Sequence, residues 1–298
     1  MENKLIVILG PTASGKTSLA IELAKWLGTE IISADSRQVF REMNIGTAKP
    51  THDQLEAVRH HLIGHVSISE NYNAGRFEKE ALEVLSLLFK TRRNVILAGG
   101  SGLYINTLCH GLDEIPDSDP EIRESLKDRF NRQGIRYLQE SLKIADHDYY
   151  EIVDLANPNR LIRALEVIEI TGKPYSAFRK GQKIIRGFDI LKIGLDVPRN
   201  ELIERINKRT DEMMGCGLLE EVRSLLPFRS CDALNTVGYK ELFDYLDGKC
   251  TLKEAVEKIK INTRRYAKRQ MTWFRKDPEI HWINPQKADR IKNLITKG

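Results

Sequence analysis

The stretch Lys4–Thr17 reads Lys-Leu-Ile-Val-Ile-Leu-Gly-Pro-Thr-Ala-Ser-Gly-Lys-Thr, and it decides the fold. Its first part, Lys4–Leu9, is an apolar run of the kind that forms a strand buried on both faces of a parallel sheet. Its second part, Gly10–Thr17, has the Walker A spacing Gly-x-x-x-x-Gly-Lys-Thr. A buried strand that leads directly into such a loop predicts an α/β protein with a P-loop.

The segments on either side extend this pattern. A helix is predicted from Lys16, with Leu19, Leu23 and Leu27 on one face and Gly28 at its end. Further strands are predicted at Glu30–Ser33, Asn94–Ala98 and Ile190–Leu195. Because strands alternate with helices, we expect a P-loop NTPase-like parallel sheet flanked by helices.

Residues 113–188 have a different character, because helical signals dominate there. Asp119-Pro120 and Asn157-Pro158 each resemble an N-cap followed by proline at the first helical position, and the second helix is expected to end at Gly172. We predict a helical inserted domain over 113–188, within a core of 1–112 and 189–298 that has a mostly helical C-terminal part. The same helices could instead pack on the sheet.

The P-loop predicts an anion site. Its glycines allow successive N–H groups to converge on an anion, and the helix that follows adds its dipole. Lys16 supplies a point charge and Thr17 a hydroxyl that can ligate Mg²⁺. The pattern predicts a bound phosphate or diphosphate without saying which.

Two arginines are expected to complete this site. Arg205 and Arg209 lie four residues apart in a helix predicted to begin near Asn200, so they share a face. Guanidinium groups suit phosphate because each can donate two hydrogen bonds in one plane. The alternative is a solvated helix face with Glu201 and Glu204 nearby.

Asp35 follows the second predicted strand directly. Ligands of doubly wound sheets lie beyond the carboxyl ends of the strands, so Asp35 should emerge at the same edge as the P-loop. A carboxylate beside a diphosphate can hold Mg²⁺ or accept a proton from a second substrate. It could also merely cap a loop. Arg37 and Gln38 next to it can bond base edges, which favours a substrate-reading loop.

Charge and composition narrow the class of protein. Residues 251–298 hold 13 Lys and Arg against 5 Asp and Glu, a net of +8, so within the total of +5 the rest sums to −3. A basic arm suggests a polyanionic partner, although a solvated helix would look similar. The apolar run Leu5–Leu9 is too short for a signal peptide or a membrane span. Four cysteines without a paired spacing predict reduced thiols and a cytoplasmic location.

Seven blocks of residues, spread over nearly the whole chain, carry a family pattern. They are Gly10–Thr17, Asp35–Phe40, Ile45–Pro50, Gly99–Tyr104, Asn159–Val167, Gly238–Glu241 and Lys268–Arg275. On these blocks the chain resembles the tRNA dimethylallyltransferases, or isopentenyl-tRNA transferases. It lacks the zinc-finger extension of the eukaryotic members and so looks like the bacterial form.

The resemblance implies a reaction and its residues. A dimethylallyl group would pass from dimethylallyl diphosphate to N6 of adenosine 37 in tRNA, beside the anticodon, on a monomeric enzyme with no membrane partner. Asp35 would be the general base, with Lys16 and Arg209 also catalytic and with Mg²⁺ on Thr17. The implied diphosphate ligands are Gly10, Pro11, Thr12, Ala13, Ser14, Gly15, Lys16, Thr17 and Arg209. The implied tRNA contacts are Asp35, Ser36, Arg37, Gln38, Ser101, Arg123, Asn159, Arg160, Leu161, Ile162, Arg163, Lys268, Arg269, Gln270, Met271, Thr272, Trp273, Phe274 and Arg275.

Two other functions compete with this one. A small-molecule P-loop kinase would bind ATP, use Arg205 and Arg209 as lid arginines, and have no need of the basic arm. An RNA-binding protein could use its P-loop only to regulate affinity.

The last long helix carries one further expectation. A core-facing stripe is predicted at Leu252, Val256, Ile259, Thr263, Tyr266, Gln270 and Trp273, with the basic residues Arg264, Arg265, Lys268 and Arg269 projecting elsewhere. Trp273 is therefore assigned to the core rather than to a base-stacking surface.

Overall fold

The structure is a computed structural model that describes residues 3–181, 184–285 and 288–297. The chain divides into two compact units, Met1–Cys109 with Arg186–Gly298, and His110–Ile185. The predicted boundaries of the helical insert, 113 and 188, each lie three residues after these.

The first unit is built on one parallel sheet. Its strands run in the order β3-β2-β4-β1-β5-β6, so the P-loop strand β1 lies between β4 and β5. The predicted α/β class with a parallel sheet and flanking helices is confirmed. The strands are β1 (Lys4–Leu9), β2 (Ile31–Ala34), β3 (His60–His61), β4 (Asn94–Gly99), β5 (Asp189–Leu195) and β6 (His281–Ile283).

The predicted strands differ from these bounds by one residue at most. β2 begins and ends one residue later than predicted, β4 extends to Gly99, and β5 begins at Asp189. Strands β3 and β6, of two and three residues, were not predicted.

Helices cover both faces of the sheet. The helices of the first unit are α1 (Lys16–Leu27), α2 (His52–Ala57), α3 (Ala74–Leu88), α4 (Gly102–His110), α9 (Arg199–Gly215), α10 (Leu218–Ser224), α11 (Tyr239–Leu246), α12 (Leu252–Phe274) and α13 (Ala288–Lys297). α4 reaches one residue into the second unit, which otherwise holds α5 (Pro120–Gln133), α6 (Ile135–Ala145), α7 (His147–Tyr150) and α8 (Pro158–Thr171). Within the described residues no helix combines the length and apolar character needed to cross a membrane.

The central strand β1 explains why the sheet is so well buried. Leu5, Val7 and Leu9 point into one core with α3 and α4, whereas Ile6 and Ile8 point into a second core with α1. Because successive side chains alternate across a strand, an unbroken apolar run is what two covered faces require.

The helix boundaries follow the predicted caps. The Asp119 carboxylate accepts from the N–H groups of Glu121 and Ile122 at the start of α5. Asn157 caps α8 in the same way, and α8 ends at Gly172, whose φ is 68°. These predictions are confirmed, because capping depends on side chains adjacent in sequence.

Candidate active site

A cavity of about 410 Å³ opens at the carboxyl ends of β1, β2 and β4. Its wall includes the P-loop from Thr12 to Thr17, and it includes Asp35 and Gln38 after β2. Arg205 and Arg209 reach it from α9, while α12 contributes Tyr266 and Gln270. The structure therefore brings the predicted anion site and the predicted substrate loop into one cavity.

The P-loop is shaped as an anion-binding turn. Gly15 has φ 91° and precedes the first turn of α1, so this left-handed position suits glycine. The Ser14 hydroxyl oxygen is fully buried and has no hydrogen-bond partner in the described part of the chain. A phosphate oxygen is the kind of acceptor that would satisfy such a hydroxyl.

Lys16 and Arg209 make this end of the cavity electropositive. The Lys16 ammonium donates to the Pro11 carbonyl at 2.6 Å, and Arg209 donates to the Thr12 hydroxyl. Burial and the nearby Arg209 charge lower the pKa of Lys16 to about 7, a shift that Asp35 partly opposes. Burial likewise lowers the pKa of Arg209. Two desolvated cations side by side favour a bound anion.

This pKa makes anion binding depend on pH. Lys16 loses its proton near pH 7, so wild type should bind inorganic diphosphate more weakly at pH 8 than at pH 7. We compare its Kd with that of Lys16→Arg at each pH. The ratio of the wild-type Kd to the variant Kd should rise about fivefold between pH 7 and pH 8. The arginine variant keeps its charge, so the ratio cancels the titration of diphosphate itself. Calorimetric titration in two buffers measures both Kd and proton uptake. Parallel pH profiles for the two proteins would contradict this assignment.

Arg205 agrees both with the predicted anion site and with the alternative of a solvated helix face. Its guanidinium pairs with Glu201 one turn earlier on α9, as the solvated-face interpretation supposed. A Cβ built on Gly15 would lie 3.7 Å from its Nη1 atom, so the same side chain reaches the start of α1. Arg205 is thus available to the anion site but already has a partner.

Asp35 is held by the turn that follows it. Its Oδ1 atom accepts from the N–H groups of Arg37 at 2.9 Å and Gln38 at 3.3 Å. The neighbouring Ser36 N–H donates to the Ser101 hydroxyl at 2.8 Å. Oδ1 thus has the capping role considered as an alternative, while the second oxygen adds an acceptor to the same cavity.

Gln270 links three parts of the site that are distant in sequence. Its Oε1 accepts from the Thr12 N–H at 2.9 Å, and its Nε2 donates to the Gly100 carbonyl at 2.8 Å. A Cβ built on Gly100 would lie 2.4 Å from this amide nitrogen, so a side chain there would displace the Gln270 amide from its bonds. Sequence reasoning placed Gln270 among the tRNA contacts and in a core stripe. Its burial agrees with the stripe, and its side chain fastens α12 to the P-loop.

The predicted stripe on α12 is partly wrong. Tyr266 and Trp273 are 36% and 43% exposed, so Trp273 is not a core residue. The buried positions are Ala255, Ile259, Ala267, Gln270 and Phe274. Trp273 lies against Gly102, where an added Cβ would be 2.3 Å from the indole ring.

Comparison with known proteins decides the family. A sequence model of the IPP transferase family matches residues 38–277. The chain belongs to the IPP transferase family. Its relatives include the tRNA dimethylallyltransferase of Christiangramia forsetii, with 53% identity over 95% of this chain and 94% of the relative. Another is tRNA dimethylallyltransferase 1 of Bacteroides thetaiotaomicron, with 50% identity over 98% and 94%.

Solved structures agree with this membership. The tRNA isopentenylpyrophosphate transferase of Bacillus halodurans has a TM-score of 0.73 and 38% identity, covering 99% of this chain and 96% of that one. A eukaryotic dimethylallyltransferase acting on tRNA has a TM-score of 0.83 and 28% identity, covering 99% and 80%. The resemblance to the tRNA dimethylallyltransferases is confirmed.

Other predicted tRNA contacts lie in the helical unit and on α12. Leu161 and Ile162 are buried in the core of the helical unit, and Phe274 is buried in the core of the first unit. These side chains pack against their own unit, so a tRNA contact at these positions stays a prediction. Asn159 and Arg160 are exposed.

Two arginines of the helical unit are already paired. Arg123 and Arg163 bond to the Glu166 carboxylate at 3.2 and 2.8 Å, and Glu166 is fully buried. A buried carboxylate needs such partners, so both arginines hold this unit together whatever else they bind.

Proposed function

We propose that this protein transfers the dimethylallyl group of dimethylallyl diphosphate to N6 of adenosine 37 in tRNA, releasing diphosphate. The observation that carries the proposal is the single cavity that joins a cationic P-loop to the carboxylate of Asp35. The family relatives named above support the same reaction. They do not support the kinase alternative.

The cationic end of the cavity suits the diphosphate leaving group. An adenine amino group is a weak nucleophile, because its lone pair is delocalised into the ring. The allylic C–O bond must therefore break easily, which requires that the departing diphosphate be neutralised. Lys16, Arg209 and the P-loop line the same cavity, and in this proposal their charges and N–H groups neutralise the diphosphate through electrostatic preorganisation.

The Asp35 carboxylate suits the proton transfer. As the N6–C bond forms, the amine loses one proton, and the Oδ2 atom of Asp35 is the acceptor in this scheme. Bonds from the Arg37 and Gln38 N–H groups to Oδ1 fix the carboxylate, so that proton transfer needs no reorientation.

The donor set of the cavity also fits Mg²⁺. Thr17 and Asp35 offer a hydroxyl and a carboxylate oxygen in one cavity, and Mg²⁺ prefers such oxygen ligands together with phosphate oxygens. Thr17 would hold the ion. When bound, Mg²⁺ would neutralise charge on the diphosphate.

The exposed part of α12 is proposed to bind tRNA. Lys268, Arg269, Thr272 and Trp273 are exposed on this helix, as is Arg275 directly after it, and together they combine cations with an aromatic ring. This combination suits an RNA loop, whose unpaired bases stack on aromatic rings while cations contact phosphates.

Trp273→Ala tests this surface. We expect tRNA affinity to fall by about 5- to 150-fold, because stacking of one base contributes about 1–3 kcal/mol. The melting temperature should change little, since the ring is 43% exposed. Trp26→Ala is the matched control, because Trp26 is 44% exposed on α1. Equal tRNA affinity for the two variants would remove Trp273 from the interface.

We propose that the enzyme acts in the cytoplasm as a monomer. Its four cysteines are free in the structure, which agrees with a reducing compartment. Sedimentation equilibrium with and without tRNA tests the monomer.

The reaction itself is tested by label transfer. Purified protein is incubated with dimethylallyl diphosphate, labelled in its prenyl group, and with unmodified tRNA that carries either adenosine or guanosine at position 37. We expect label only in the adenosine tRNA. Hydrolysis of ATP without label transfer would favour the kinase instead.

A further inference from the structure

The Glu221 carboxylate on α10 binds a loop of the cavity wall by its backbone. It accepts from three consecutive N–H groups, of Asn44 at 3.0 Å, Ile45 at 2.7 Å and Gly46 at 3.0 Å. It also accepts from the Tyr239 hydroxyl at 2.7 Å. Successive N–H groups that converge on a carboxylate form a strong, directional anion site, so one side chain fixes the whole loop.

Tyr239 closes this attachment from the other side. Its side chain is fully buried, and a Cβ built on Gly46 would lie 2.6 Å from its ring. Only glycine allows the backbone to approach the ring so closely. Glu221 and Tyr239 therefore hold residues 44–46 in one position.

The same loop orients Gln38. The carbonyls of Thr47 and Ala48 each accept from the Gln38 Nε2 atom at 3.1 Å, which uses both hydrogens of the amide. The Oε1 atom is left as the acceptor, and within the described residues its partner is the Ser33 hydroxyl, at 3.5 Å. Gln38, Thr47 and Ala48 all line the cavity beside Asp35. An amide held in this way accepts from an amino group but cannot donate to a carbonyl.

We propose that Glu221 is a positioning residue that sets the preference for adenine: it clamps residues 44–46, so that Thr47 and Ala48 hold the Gln38 amide with its oxygen toward the base. This inference rests on the proposed function. Adenine presents an amino group at this edge, whereas a 6-oxo purine presents an acceptor. Release of the clamp lets the amide turn over and donate.

Glu221→Gln tests the clamp, because the amide nitrogen cannot accept from the Gly46 N–H. We expect kcat/KM for tRNA to fall at least tenfold, with KM for dimethylallyl diphosphate unchanged. For anticodon stem-loops, the Kd with inosine at position 37 divided by the Kd with adenosine there should also fall at least fivefold. Glu220→Gln is the matched control, since Glu220 is exposed on the same helix and pairs with Arg223.

A double-mutant cycle separates positioning from general destabilisation. If Glu221 acts through Gln38, Glu221→Gln should cost less than threefold in kcat/KM when Gln38 is already alanine. The inference would be overturned if the losses in kcat/KM from the two substitutions were additive. It would also be overturned if Glu221→Gln and the Glu220→Gln control had the same ratio of inosine to adenosine Kd. If circular dichroism shows that Glu221→Gln is not folded, Tyr239→Phe takes its place in the same cycle. The loss in kcat/KM and the base preference are then interpreted in the same way. Failure of wild-type protein to transfer label would instead reject the proposed function.

Discussion

Replacing Asp35 with asparagine is expected to lower kcat by about 10²–10⁴-fold, the usual contribution of a general base. The asparagine oxygen can still accept from the Arg37 and Gln38 N–H groups, so the turn after β2 keeps its shape. The amide cannot take up a proton, however. Single-turnover kinetics with saturating tRNA and dimethylallyl diphosphate measure the loss.

The binding of tRNA separates this role from a purely structural one. Its Kd should change by no more than about threefold in Asp35→Asn, because an interaction used only in the transition state affects kcat and not ground-state affinity. Asp35→Ala should lose as much turnover and bind tRNA less well, since it also frees the turn. An Asp35→Asn enzyme with wild-type turnover would refute the general-base assignment.

Lys16→Met is expected to lower kcat by about 10²–10³-fold, as removal of one preorganised donor does elsewhere. The departing diphosphate would lose the cation that lies in the P-loop, where the Lys16 ammonium donates to the Pro11 carbonyl. The measurement is the rate of diphosphate release under single-turnover conditions. Lys25→Met is the control, because Lys25 is exposed on the same helix.

Although Lys16→Met should lose turnover, its thermal stability should not fall and should rise if it changes. A pKa lowered to about 7 means that burial and Arg209 destabilise the charged lysine in the empty site. The unfolded chain binds more protons than the folded one between pH 7 and 10.5, so this penalty is present at neutral pH and shrinks as pH rises. The variant should therefore melt at the same temperature as wild type or higher at pH 7. A lower melting temperature together with unchanged turnover would contradict the assignment of Lys16 to the anion site.

Local sequence signals predicted the strand and helix on either side of the P-loop and the starts of two helices in the helical unit. The apolar run of β1, the glycine at 28 that ends α1, and the caps at Asp119 and Asn157 depend on neighbouring residues, and all agree with the structure. The short strands β3 and β6 carry no such signal, because two or three residues pair only when a neighbouring strand is already in place.

The errors on α12 have a tertiary cause. Spacing alone assigned Trp273 to the core, but the helix buries Ala255, Ala267 and Phe274, so its packed face is rotated from the predicted stripe. Small residues such as alanine mark that close contact, and they were not weighed. The indole of Trp273 lies where Gly102 leaves room for it.

The contacts that sequence reasoning missed join positions far apart in the chain. Gln270 bonds to Thr12 and Gly100, which are 258 and 170 positions away, and Glu221 reaches the loop at 44–46 across about 175. No periodicity or spacing rule connects such positions. A single signal was present in the block Ile45–Pro50, whose glycine at 46 marks a close approach, but its partner Tyr239 could not be inferred.

The most direct test of the central claim is the mass of an anticodon stem-loop after reaction. An unmodified stem-loop is incubated with the protein, Mg²⁺ and dimethylallyl diphosphate, and its nuclease fragments are analysed by mass spectrometry. The account predicts that one five-carbon prenyl group is added, and only to the nucleoside at position 37, with one diphosphate released per group. Diphosphate release without any gain in RNA mass, or a prenyl group on another nucleoside, would contradict it.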